Sequence, residues 1–77
     1  MTDNVLLAFG LRVKQLRLGK NLSQEKLAQI CDLDRTYISG IERGTRNVSL
    51  LNIAKVADAL DVSLSELLQF ECDSNVG

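Results

Sequence analysis

The stretch from Ser23 to Gly44 constrains the fold more than any other part of the chain. Apolar residues recur there at helical spacing in two short runs, Leu27 to Cys31 and Ile38 to Ile41, on two short helices joined at about Cys31-Asp32-Leu33. Ser23 is placed to cap a helix over 24–31, and Asp34 a second over 35–43, which Gly44 ends. Leu27 and Cys31 face inward one turn apart, and Ala28 is small where the second helix must cross closely. Leu33 plugs the turn, and Ile38 and Ile41 hold the second helix down. Two short crossing helices joined by a three-residue turn are the pattern.

Three more helices are predicted around this centre. The first spans Asn4 to Leu18, with Val5, Leu6, Phe9, Val13 and Leu16 within one arc and Gly19 placed to terminate it. Ser49 caps a fourth over Leu50 to Leu60, with Leu50, Ile53, Ala54, Ala57 and Leu60 on one face. Ser63 and Glu66 form a capping box that opens a last helix reaching about Phe70, followed by a frayed tail over 71–77. The expected architecture is all-α, five compact helices in one domain over 1–77, with an ordered core of about 4–70. With 45% hydrophobic but only 4% aromatic residues, the core must be built from Leu, Ile, Val and Ala.

The same composition excludes whole classes of chemistry. The chain has no His, and its two cysteines, Cys31 and Cys72, are far apart, which removes zinc sites and Ser-His or Cys-His nucleophiles. No enzymatic activity, metal, cofactor or small-molecule ligand is expected. Cys31 lies on an apolar face and reads as a small buried hydrophobe, Cys72 as an exposed tail residue. The longest apolar run, Val5 to Phe9, is far short of a membrane span, and a cytoplasmic protein with reduced thiols is expected. The net charge of −1 hides an asymmetry: residues 1–46 sum to +3 and residues 47–77 to −4. A basic half suits a polyanion and leaves the acidic half for another role.

Gln24-Glu25-Lys26-Leu27-Ala28-Gln29-Ile30-Cys31-Asp32-Leu33, followed by Asp34-Arg35-Thr36-Tyr37-Ile38-Ser39-Gly40-Ile41-Glu42-Arg43-Gly44, resembles the helix-turn-helix of the lambda-repressor-like DNA-binding domains. With Arg46-Asn47 after it, the stretch from Leu33 is most similar to the controller proteins of restriction-modification systems. Asp32 departs from the family, which usually has Gly at the turn; Asp tolerates the left-handed conformation better than most residues. A helical wheel of 35–43 tests the resemblance independently. Ile38 and Ile41 mark the buried direction, and the opposite face carries Thr36, Ser39, Gly40 and Arg43, with Arg35 and Tyr37 on its shoulders. Gly40 costs a helix about 1 kcal/mol relative to Ala, which close approach of a DNA backbone would explain.

On this resemblance Arg35, Thr36 and Tyr37 read base edges, while Gln24, Ser39, Arg43, Arg46 and Asn47 meet phosphates, Arg46 reaching toward the minor groove. Other roles compete: Arg35 as a solvated charge, Tyr37 as a core-edge ring with a wet hydroxyl, and Arg43 as compensation of the helix dipole. Arg17 falls on the apolar face of the first helix, and the resemblance names Glu42 as its ion-pair partner. Leu64, Leu67 and Phe70 are the expected homodimer interface, which would set two recognition helices one DNA turn apart on a palindromic operator. Glu25 matches a position at which related repressors present acid to RNA polymerase, and it also suits a helix N-terminus. Control is expected to come from protein concentration, since no residues remain for a ligand-binding domain, and the resemblance implies autoregulation of its own promoter, with activation at one occupancy and repression at a higher one. A phage or plasmid repressor is the nearest alternative, and an antitoxin or adaptor binding mainly protein is a further one.

Overall fold

The computed structural model describes residues 2–71, and among these the secondary structure is entirely helical: α1 Thr2–Gly19, α2 Gln24–Cys31, α3 Arg35–Arg43, α4 Leu50–Ala59 and α5 Leu64–Leu67. The expected tail beyond Glu71, with Cys72, lies outside the described residues. No described helix is long and apolar enough to cross a membrane.

The helix starts follow from local chemistry. The hydroxyls of Ser23, Ser49 and Ser63 accept from the backbone amides of Lys26, Asn52 and Glu66 at 3.0, 3.1 and 3.0 Å. Glu66 returns the bond to the Ser63 amide at 3.1 Å, completing the capping box. Asp34 occupies the cap position of α3, but its side chain caps no amide. Its carboxylate instead accepts the Thr36 hydroxyl at 2.8 Å.

The helix ends show a shared device. Asn21, Asp32, Gly44 and Asp61 all take the left-handed conformation, at φ 57°, 61°, 75° and 59°. In each case the next residue's amide reaches back five positions, Leu22 to Arg17, Leu33 to Ala28, Thr45 to Gly40 and Val62 to Ala57. This closure satisfies carbonyls that a helix end leaves open, and Leu22, Leu33 and Val62 then pack on the core. Gly19, expected to end α1, is its last helical residue; Asn21 makes the turn.

The core is Phe9 and Val13 of α1, Leu27, Ala28 and Cys31 of α2, Ile38 and Ile41 of α3, Val56, Ala57 and Leu60 on and after α4, and Leu67. Helix α1 packs on α3, α2 on α3 and α4, and α4 on α5. The α1–α3 crossing depends on Gly10, where a methyl group would collide with the Ile41 carbonyl.

Three expectations are corrected here. Leu50 is 72% exposed and Leu51 68%, because the inward face of α4 is set by Val56, Ala57 and Leu60 rather than by its first turn. Helix α5 is a single turn, and the chain beyond it brings Phe70 back against Phe9, ring centroids 6.3 Å apart. Leu67, assigned to a dimer surface, is 0% exposed and belongs to the core of its own chain.

Candidate nucleic-acid interface

The motif is held from behind by one buried ion pair. Arg17, in the last turn of α1, donates from Nε to Glu42 Oε2 at 2.7 Å and from Nη2 to Oε1 at 3.0 Å. Its Nη1 donates to the Leu22 carbonyl at 2.7 Å, and Gln24 Nε2 donates to Glu42 Oε1 at 3.0 Å. Three elements therefore meet at one carboxylate. Arg17 is only 7% exposed, and a charge that deep is tolerable because its partner and hydrogen bonds are supplied. The hydrogen bond to Glu42 raises the Arg17 pKa further, against the opposing effect of burial. Gln24, expected at a phosphate, spends one amide hydrogen on this network and keeps the other.

The outward surface of α3 presents Arg35, Thr36 and Arg43 exposed and Ser39 half-buried, with Arg46 and Asn47 exposed on the loop that follows. Arg35 and Thr36 lie in the first turn and Arg43 in the last, where its Nε donates to the Ser39 carbonyl at 3.3 Å. That placement suits a charge at a helix C-terminus and leaves the guanidinium's other donors free. Glu25 is exposed in the first turn of α2.

Tyr37 takes the core-edge position weighed as its alternative role, and Gly40 differs from its expected one. The Tyr37 ring is half-buried against the core, and its hydroxyl accepts from Asn52 Nδ2 at 3.1 Å. Gly40 is buried, and what approaches it is the protein's own loop. A Cβ there would come within 2.6 Å of Arg46 Cγ, and the Gly40 carbonyl accepts from the Thr45 hydroxyl at 3.2 Å. The helix cost of this glycine is therefore offset inside the chain, before any DNA arrives. Asn52 and Thr45 were not singled out by the sequence, since neither falls on the wheel of α3.

Cys31 is buried, its Sγ donating to the Lys55 carbonyl at 3.8 Å. Burial pushes its thiol pKa up, and the Lys55 charge pulls it partly back.

The helix-turn-helix family model matches residues 13–67, which runs from the middle of α1 to the end of α5. The chain belongs to the helix-turn-helix family. Within that family it is similar to control protein C.BamHI of Bacillus amyloliquefaciens, at 60% identity over 97% of this chain and 94% of the relative. Among solved helix-turn-helix structures it is similar to the restriction-modification controller protein C.AhdI from Aeromonas hydrophila. The TM-score is 0.79 at 56% identity, covering 80% of this chain and 94% of that one. The restriction-modification controller C.Esp1396I, solved as a tetramer on its natural 35-base-pair operator, matches with TM-score 0.76 at 40% identity. That match covers 83% of this chain and 88% of the other.

Proposed function

We propose that this helix-turn-helix protein is a sequence-specific, homodimeric transcriptional regulator that controls its own promoter as the controller of a restriction-modification system. The observation that carries the reading is the two-sidedness of α3. Ile38 and Ile41 are buried, while Arg35, Thr36 and Arg43 stand exposed, with Arg46 alongside on the next loop. A short helix held down on one side and cationic on the other suits the major groove, with Arg35 and Thr36 near the base edges. Arg43, Asn47, Ser39 and the remaining amide hydrogen of Gln24 then serve the flanking backbone, while Arg46 reaches toward the minor groove.

A second copy of the chain would cover the apolar surface at α4 and the turn into α5. Leu51, Ala54, Ala57, Val62 and Leu64 line an open cavity there of about 460 Å³, with Lys55 and Asp58 on the same lining. Two-fold packing suits this patch, since each copy offers both signs of charge beside the apolar residues. Leu64 keeps its interface role, Leu67 loses it, and Leu51 joins. Occupancy would be set by protein concentration in the cytoplasm, with one dimer activating and two adjacent dimers repressing. The tetramer of C.Esp1396I on its operator supports that stoichiometry. Glu25 is the candidate contact to RNA polymerase.

The test is a titration of the purified protein against the duplex upstream of its own gene and a scrambled duplex, at about 0.15 M salt. Two successive complexes on the first and neither on the second are expected. Equal binding to both would overturn the reading.

A further inference from the structure

The exposed arginine of the loop after α3 has no acidic partner within 4.0 Å among the described residues, where the only ion pairs are Arg17 with Glu42 and Lys20 with Asp61. Arg46 is held instead by an aromatic ring. Its guanidinium carbon sits 5.5 Å from the centroid of Tyr37. Its stem crosses α3 at Gly40, where an added Cβ would lie 2.6 Å from Arg46 Cγ and 3.2 Å from Nε. Residues 37 and 40 are one turn apart, so the stem and the head of the arginine follow a single track on the helix.

The ring is itself fixed from a different helix. Asn52 Nδ2 donates to the Tyr37 hydroxyl at 3.1 Å. Asn52 is in the first turn of α4, and its own amide donates to the capping hydroxyl of Ser49 at 3.1 Å. The order of support runs from cap to asparagine, tyrosine and arginine.

The chemistry of this arrangement favours a group prepared for a ligand. A carboxylate would occupy guanidinium donors and compete with an incoming acceptor, whereas a ring face attracts the cation and consumes none of its five N–H groups. The long side chain is thereby ordered in advance with its donors free. Rotamer freedom that would otherwise be lost on binding is already lost in the free protein.

We propose that Asn52 is a positioning residue for DNA recognition: through the Tyr37 hydroxyl it holds the ring on which Arg46 rests, and the base-pair preference of the region Arg46 reaches depends on that support. The inference rests on the DNA-binding reading above. It predicts that Asn52 acts only through Tyr37 and Arg46 and makes no contact of its own.

The experiment compares full-length wild type with Asn52→Ala, Tyr37→Phe, Arg46→Ala and the pairwise combinations. Binding is measured to the duplex upstream of the gene, to its single-base-pair variants and to a scrambled duplex. Loss of one hydrogen bond predicts a drop of about 3- to 10-fold on the cognate duplex for Asn52→Ala, with scrambled binding changed by less than about twofold. Adding Asn52→Ala to Arg46→Ala should cost nothing further. A second readout needs no DNA: in the free protein the Arg46 Nε–H resonance carries the ring-current shift of Tyr37, and Asn52→Ala should reduce it. Far-UV circular dichroism verifies that each variant is folded. Additive losses of Asn52→Ala and Arg46→Ala, or an unchanged Arg46 resonance in folded Asn52→Ala, would overturn the relay. Wild-type protein without preference for its own upstream duplex would overturn the functional reading instead.

Discussion

Breaking the Arg17–Glu42 pair should cost the protein a large share of its stability, and the structure shows why. Arg17 makes two bonds to Glu42, at 2.7 and 3.0 Å, and one to the Leu22 carbonyl at 2.7 Å. The side chains are 9% and 3% exposed, so water does not replace a missing partner. Removing one member of such a pair typically costs about 3–5 kcal/mol. A domain of this length is stable by roughly 4–12 kcal/mol in total, at about 0.05–0.15 kcal/mol per residue. One substitution therefore takes about a quarter or more of the stability, and at about 4–8 °C per kcal/mol Arg17→Met or Glu42→Gln should lower Tm by at least about 12 °C. The combination Arg17→Met with Glu42→Gln leaves no orphaned charge. It should lie at least about 2 kcal/mol above the sum of the single losses. Thermal and urea unfolding followed by far-UV circular dichroism, at one protein concentration so that dimerisation contributes equally, reads both quantities. Single variants that melt within about 3 °C of wild type, or strictly additive losses, would refute the argument.

Other outcomes follow from burial and from position on α3. Leu67→Glu places a carboxylate at a fully buried position and should give an unfolded chain, whereas Leu51→Glu should give a folded monomer; circular dichroism with sedimentation separates the two. Arg35→Ala should lose about 1–3 kcal/mol on the cognate duplex and flatten preference at one base pair. Arg43→Ala should weaken all duplexes alike and reduce the slope of log K against log salt by about 1 per half-site, and equal losses for both variants on both duplexes would argue against the division. The raised thiol pKa of Cys31 has a sign that can be checked. The unfolded chain releases that proton above about pH 8.5 while the folded one retains it, so stability should fall as pH rises past that point. Cys31→Ala should remove that component of the alkaline loss in denaturant titrations.

Helices α2 and α3 were legible in the sequence to the residue, and so were the caps at Ser23, Ser49 and Ser63. Caps and helix-end turns close over at most five residues, so the residues that decide them are neighbours in the chain. The exposed cationic side of α3 was equally readable, because Ile38 and Ile41 define its opposite by helical geometry alone. Periodicity reports that a face is apolar but not what lies against it. Leu50 and Leu67 were both placed on helical faces by spacing, yet one is exposed and the other is buried, since only the packing of α4 and α5 decides which positions are covered. Gly10 and Asn52 had no signal at all, and Gly40 signalled a close approach without naming Arg46 as what approaches. Their roles arise where α1 crosses α3, where the loop folds back over α3, and where α4 reaches Tyr37. The local code sets each helix and its ends over a few residues; contacts such as Arg46 over Gly40, Glu42 under Arg17 and Phe70 against Phe9 exist only once all the helices are assembled.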